Sequence, residues 1–206
     1  GDFPERRFEN GGARENSYSD DRKINLKVAL TPNDTDEYSL SYSSQKGEKG
    51  NPPYAGTLAS INARYWQWPM WDKDSIYLLT NTRWDNINLK VRAYHDTYQN
   101  SLFTYDDATY STQNRPSSFK SWYDDYTNGA SVQLDIQLSE KNLLKAAYHW
   151  KEDVHREHNA GEPWRKTSDR TQSLALEDTH NLTDKLSLVV AAAHDWRESL
   201  EAENYN

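Results

Sequence analysis

Ala130-Ser131-Val132-Gln133-Leu134-Asp135-Ile136-Gln137-Leu138 alternates apolar and polar residues without a break. Successive side chains of a strand leave opposite faces, so the stretch predicts a β-strand with one apolar and one charged face. The same period recurs along the chain. Ile24, Leu26, Val28 and Leu30 alternate with Lys23, Asn25 and Lys27. Tyr38, Leu40 and Tyr42, then Ile87, Leu89, Val91 and Ala93, then Leu144, Ala146, Tyr148 and Trp150 repeat it, as do Leu186, Leu188, Val190 and Ala192. With the less regular Ser75–Arg83 and Thr171–Thr179, the reading gives eight strands and no helix: about 23–30, 37–43, 75–83, 87–98, 128–138, 143–155, 169–179 and 185–197.

The connections divide into two kinds. Residues 31–36, 84–86, 139–142 and 181–184 are short and rich in Asn, Asp, Pro and Ser, which suit turn dihedrals. The spacing predicts long polar loops over about 44–74, 106–127 and 157–168. Short turns at one end and long loops at the other mark a transmembrane β-barrel, with periplasmic turns and extracellular loops. The expected fold is therefore all-β: an antiparallel up-and-down meander forming part of such a barrel. Tyr38, Tyr42, Trp84, Trp150 and Trp196, near strand ends, suit interfacial girdles. Two rivals stay open: a complete eight-stranded structural or adhesin-like barrel, and a soluble all-β module, perhaps for carbohydrate.

Composition fits the barrel. The 206 residues include 8 Trp, 14 Tyr and 4 Phe, too many rings for a disordered chain. Mean hydropathy is -1.08, yet a barrel wall needs only every second strand residue to be apolar. The longest apolar run, Leu188–Ala193, is far short of a spanning helix. A net charge of -8 argues against a nucleic-acid partner, and the lack of cysteine removes disulfides and thiolate chemistry. With four periplasmic turns, both chain ends fall on the loop side, as in a slice through two extracellular loops. Residues 1–22 read as the back half of one loop and 198–206 as the start of another.

Several stretches resemble the barrel of TonB-dependent outer-membrane receptors. They are Leu30–Tyr38 leading into Gln45–Tyr54, Tyr65–Lys73, Tyr105–Tyr110 and Ser121–Asp125. The resemblance covers about Ser19 to Trp196 and implies a bacterial outer-membrane location. It also implies a full barrel of about 22 strands and import of a scarce nutrient, most often a ferric siderophore. The implied partners are outer-membrane lipid and lipopolysaccharide, a small metal chelate, and the TonB complex through a plug domain that is missing from this sequence. No enzyme activity and no cofactor are implied.

The loop read over 106–127 is bracketed by Tyr105-Asp106-Asp107 and Tyr123-Asp124-Asp125. Rings and cations there suit a ferric chelate, since Arg matches anionic oxygens and aromatics stack on flat ligands. Tyr105, Tyr110, Arg115, Lys120, Trp122 and Tyr123 are the candidate ligand residues; alternatively the acids pin the loop base by hydrogen bonds. Lys90, Arg92, Asp135 and Lys145 are expected to face the lumen. Trp66, Trp68 and Trp71 read as a girdle or loop packing sooner than as ligand stacking. His149, His155 and His158 read as solvated side chains and not as a metal site. The sequons at Asn33 and Asn181 fall in turns, and no catalytic constellation stands out.

Overall fold

The computed structural model describes residues 2–3, 12–56, 58 and 60–205. Among them lies one antiparallel sheet in chain order, with no helix. Its strands are β1 (Asp2–Phe3), β2 (Ser19–Leu30), β3 (Glu37–Asn51), β4 (Tyr65–Trp84), β5 (Ile87–Tyr105), β6 (Lys120–Ser139), β7 (Asn142–Asn159), β8 (Trp164–Thr183) and β9 (Leu186–Tyr205). The eight long strands are those the alternation marks, and β1 is an addition to them. In the described residues β9 pairs only with β8, so the sheet is open and the closed eight-stranded alternative is not formed.

The short turns are built as their composition requires. Asn33 Oδ1 accepts the backbone N–H of Thr35 at 2.9 Å and of Asp36 at 2.8 Å, an Asx turn that engages the sequon asparagine. Asp85 takes φ 44° in the two-residue turn between β4 and β5, a conformation Asp tolerates better than most residues. Asn181, expected in a turn, lies near the end of β8, where its Oδ1 receives the hydroxyl of its cross-strand partner Ser187 at 2.6 Å.

The strands run well past their expected ends. The long connections shrink from 44–74, 106–127 and 157–168 to 52–64, 106–119 and 160–163. At the termini, β2 begins at Ser19 and β9 continues to Tyr205, where loop was expected. A 20-residue strand spans about 65 Å, against an apolar band about 25 Å tall. The loop-side half of each long strand therefore has polar residues on both faces, and the apolar–polar alternation stops although the hydrogen-bond ladder continues. Side-chain pairs replace it. Lys46 Nζ reaches Asp74 at 2.9 Å, Arg156 reaches Asp124 at 2.5 Å, and Arg170 reaches Glu152 at 3.1 Å.

Register carries the apolar residues onto one face. Leu30 pairs with Tyr38, Leu40 with Leu78, Leu78 with Ala93, Val132 with both Val91 and Tyr148, and Tyr148 with Leu174. Among the described residues nothing packs against this face: Leu26 is 62% exposed, Val28 74% and Leu188 52%, and Val154 is the one buried hydrophobic. A soluble two-sheet sandwich would cover such a face with its second sheet. Removing each of these side chains from water stabilises by about 1.5–3 kcal/mol. Tyr42, Trp150 and Trp196 sit at the loop-side border of the band, and Tyr38 and Trp84 at its turn side.

Candidate functional site

The opposite face is the more polar one beside the band, and two cavities open on it. Lys90, Arg92, Asp135 and Lys145 all lie on it. Lys90 bonds Asp135 at 3.1 Å and Lys145 bonds Glu177 at 2.8 Å. The Arg92 guanidinium lies 5.2 Å from the Tyr77 ring and 4.6 Å from Tyr94, rings that stack at 5.5 Å. Gly129, opposite Tyr94, makes room for that stack: a Cβ there would come within 2.1 Å of the tyrosine ring.

Toward the loop end of the same face is a row of four rings. Trp66 meets Trp68 at 6.1 Å, Trp68 meets Trp71 at 6.0 Å, and Trp71 meets Tyr98 at 5.3 Å, each pair edge to face. Three cations border the row. Lys49 Nζ is 3.3 Å from the centre of Trp71, Lys73 Nζ is 5.2 Å from Tyr98, and the Arg64 guanidinium is 4.8 Å from Trp66. Burial, together with the neighbouring Lys73, lowers the Lys49 ammonium below its ordinary pKa against the pull of Asp21. Burial, with Asp125 adding to it, pushes the Tyr98 phenol up to about 12, so it stays neutral.

A bulge aligns the tryptophans. Positions 66 and 68 share a strand face, whereas 71 falls on the other in a regular strand. Pairing shifts by one between Gln67 and Met70, and the extra residue, spanning Pro69, returns Trp71 to the face of Trp66 and Trp68. Proline, which donates no ladder bond, suits that position. Deletion of Pro69 is expected to leave all three rings on one face, since it removes the extra residue without changing which strand partners meet. Unchanged tryptophan quenching by a polar quencher checks this.

Beside the row, a cavity of about 520 Å³ is lined by Lys73, Tyr98, Asp96, Asp125, Asp153 and His155, among others. Its carboxylates are engaged: Asp96 by the Tyr77 hydroxyl at 2.9 Å, Asp125 by His155 Nδ1 at 2.8 Å, and Asp153 by Lys151 at 2.6 Å. Burial disfavours charge on His155, but Asp125 and then Glu157 outweigh it and raise its pKa above 6.5. The charged imidazole's contribution is thus fully present below about pH 6.5 and lost as pH rises through the raised value. Asp125→Asn should lower that pKa, read by following the His155 ring resonances against pH.

The six loop-derived candidates do not converge. Tyr110, at φ 50°, packs against Tyr105 at 5.6 Å and Tyr65 at 6.1 Å beneath the 106–119 loop. Arg115 is exposed, with its backbone N–H bonded to Asp106 at 3.0 Å. Lys120 and Trp122 lie on the apolar-band face, beyond the band. Tyr123 lies on the polar face, 5.9 Å from the His155 ring. The acids do pin the loop: Asp106 also accepts the Asn114 N–H at 2.7 Å, and Asp107 the Thr109 N–H at 2.9 Å.

Hydrogen bonds, first that from the Asn114 backbone, hold the Asp106 carboxyl well below its ordinary pKa. The pinning is present at neutral pH and is lost only as pH falls through that depressed value. Asp106→Ala should speed protease cleavage between residues 107 and 118 while the barrel keeps its heat-modifiable mobility.

His155 and His158 belong to β7, not to a loop junction, and their odd spacing sends them to opposite faces. No group of three metal-ligating side chains occurs among the described residues.

No family model matches the sequence, and no curated protein does. Among solved structures, copper transporter OprC superposes with a TM-score of 0.76 at 12% identity, over 99% of this chain and 34% of that one. The chain thus spans about a third of that protein's length. It is an all-β antiparallel meander with the fold of part of an outer-membrane barrel.

Proposed function

We propose that this chain is part of the wall of an outer-membrane transporter of the TonB-dependent kind, importing an anionic metal chelate such as a ferric siderophore. The observation that carries the proposal is the ring row of Trp66, Trp68, Trp71 and Tyr98 with Lys49 and Lys73. It stands on the face away from lipid and at the end away from the short turns. In a membrane barrel that position is the outer vestibule. Flat aromatic or hydroxamate-type ligands stack on such rings, and the partly desolvated Lys49, with the exposed Lys73 beside it, attracts their negative charge. The similarity to a copper transporter supports a transport role. Below the vestibule, Lys90, Arg92, Asp135 and Lys145 would face the plug or the moving ligand. A plug would connect the barrel to the TonB complex, and no covalent chemistry is asked of these residues.

The test is uptake of iron supplied as different chelates into cells carrying the full-length protein or its Lys49→Ala variant. Chelate-dependent uptake that weakens in the variant supports the reading. Import of the bare metal ion, with chelates excluded, would overturn it.

A further inference from the structure

One buried polar side chain holds the loop end of the tryptophan row. Asn16, in the turn before β2, is 3% exposed and takes φ 55°, which asparagine tolerates better than most residues. Its Nδ2 donates to the Asn51 carbonyl at 2.9 Å and to the Trp66 carbonyl at 2.7 Å. Its Oδ1 accepts the Gln67 amide at 3.1 Å. The side chain thus reaches from the segment ahead of β2, past β3, onto β4. Gly50 lets it cross, since a Cβ there would run into both Oδ1 and the carbonyl of Asn16. The Gly50 N–H in turn bonds the Tyr18 carbonyl at 3.0 Å.

The clamp closes a short ladder. β3 and β4 pair continuously from Glu37 with Asn81 to Gln45 with Lys73, and then the register breaks at the bulge. Three pairs with β3 resume beyond it: Lys49 with Trp68, Gly50 with Gln67, and Asn51 with Trp66. β4 and β5 shift register at the same place. Past Asn51 and Trp66 the two strands part into the 52–64 connection. The carbonyls at that parting are the two that Asn16 binds, one amide bridging both strands. Trp66 and Trp68 therefore lie across a discontinuity from Trp71, at a ladder end that this asparagine ties shut.

We infer that Asn16 is a positioning residue for chelate capture, an inference that rests on the transport reading above. It acts through the backbone of Trp66, the residue that ends the ring row and has the Arg64 guanidinium 4.8 Å from its ring. Without the amide, both carbonyls turn to water and the strand ends part. Trp66 and Trp68 then move relative to Trp71, and a ligand spanning the row loses contact with the rings that shift. The barrel beneath, paired continuously on the turn side of the bulge, persists.

Full-length protein in detergent, unaltered or carrying Asn16→Asp or Asn16→Gly, is titrated with ferric tris-catecholate, an aromatic trianion. Aspartate keeps the shape and the acceptor for Gln67 but loses both donated bonds; glycine keeps the left-handed backbone and adds no charge. Each variant should bind about tenfold more weakly, with amide exchange faster over 49–51 and 65–68 but not over β6 and β7. Heat-modifiable mobility, and the uptake rate at saturating chelate, should stay unchanged, a split that general loss of stability does not give. Asn86→Asp removes a like bond at the turn end, from Asn86 to the Gln137 carbonyl at 2.9 Å, and should leave affinity unaltered. If one Asn16 variant does not fold, the other carries the test. Unaltered affinity in the variants would overturn the inference, as would a parallel fall in affinity and saturated uptake rate, or an equal loss in Asn86→Asp. Absence of chelate binding by the unaltered protein would overturn the transport reading, and this inference with it.

Discussion

Leu134→Arg is expected to destabilise the folded protein in a bilayer by about 2–4 kcal/mol, whereas Gln133→Arg, one residue earlier, should have little effect. Leu134 sits mid-band on the apolar face, between Leu89 and Ala146. An arginine there places its charge in hydrocarbon, far from both headgroup layers. Gln133 points the other way, where its amide already bonds Asp135 at 2.7 Å and a further cation meets water and carboxylate. Denaturant titration of both variants in vesicles measures the difference. Equal effects would mean that the two faces do not differ in environment.

Trp71→Ala is expected to weaken chelate capture by about tenfold to a hundredfold. Trp71 is the centre of its row: it touches Trp68 and Tyr98 and holds the Lys49 ammonium at 3.3 Å. Its loss removes a stacking surface and frees both the lysine and the neighbouring rings, each such contact contributing about 0.5–2 kcal/mol. Trp122→Ala, on the opposite face, should leave capture unchanged. Ligand titration by tryptophan quenching in detergent distinguishes the two. A loss of capture on removing Trp122, with Trp71 dispensable, would return the site to the residues bracketing the 106–119 loop.

The turn-side half of the fold is legible in the sequence because its two faces differ in polarity. Ala130–Leu138 reads as a strand with one apolar and one polar face, and the turn residues of 31–36 say where the chain reverses. The other half is not legible in that way. Residues 120–129 continue β6, but Tyr123, Asp124, Asp125 and Tyr126 put polar atoms on both faces, so strand and loop look alike. What keeps them extended is pairing with distant residues, such as Asp124 with Arg156 and Asp125 with His155.

The site shows the same limit. The charged lumen candidates follow directly from alternation. The tryptophan row does not, because a bulge at Pro69 cancels the odd step between Trp68 and Trp71. A proline inside an otherwise extended aromatic run was the available signal. Sequence proximity grouped Lys120, Trp122 and Tyr123, and the pleat of β6 sends Tyr123 to the face opposite the other two.

On the proposed function, one face of the sheet lies in lipid. The sequence has no cysteine, so single cysteines placed along 126–138 give this chain one site each for a nitroxide label. Collisions with oxygen, which concentrates in hydrocarbon, and with a water-soluble nickel complex then report each position's surroundings in a bilayer. Positions 130, 132, 134, 136 and 138 should favour oxygen, with the odd positions between them favouring nickel and the contrast gone at 126 and 128. Uniform access of nickel to both faces, or even positions closed to both probes, would contradict the account.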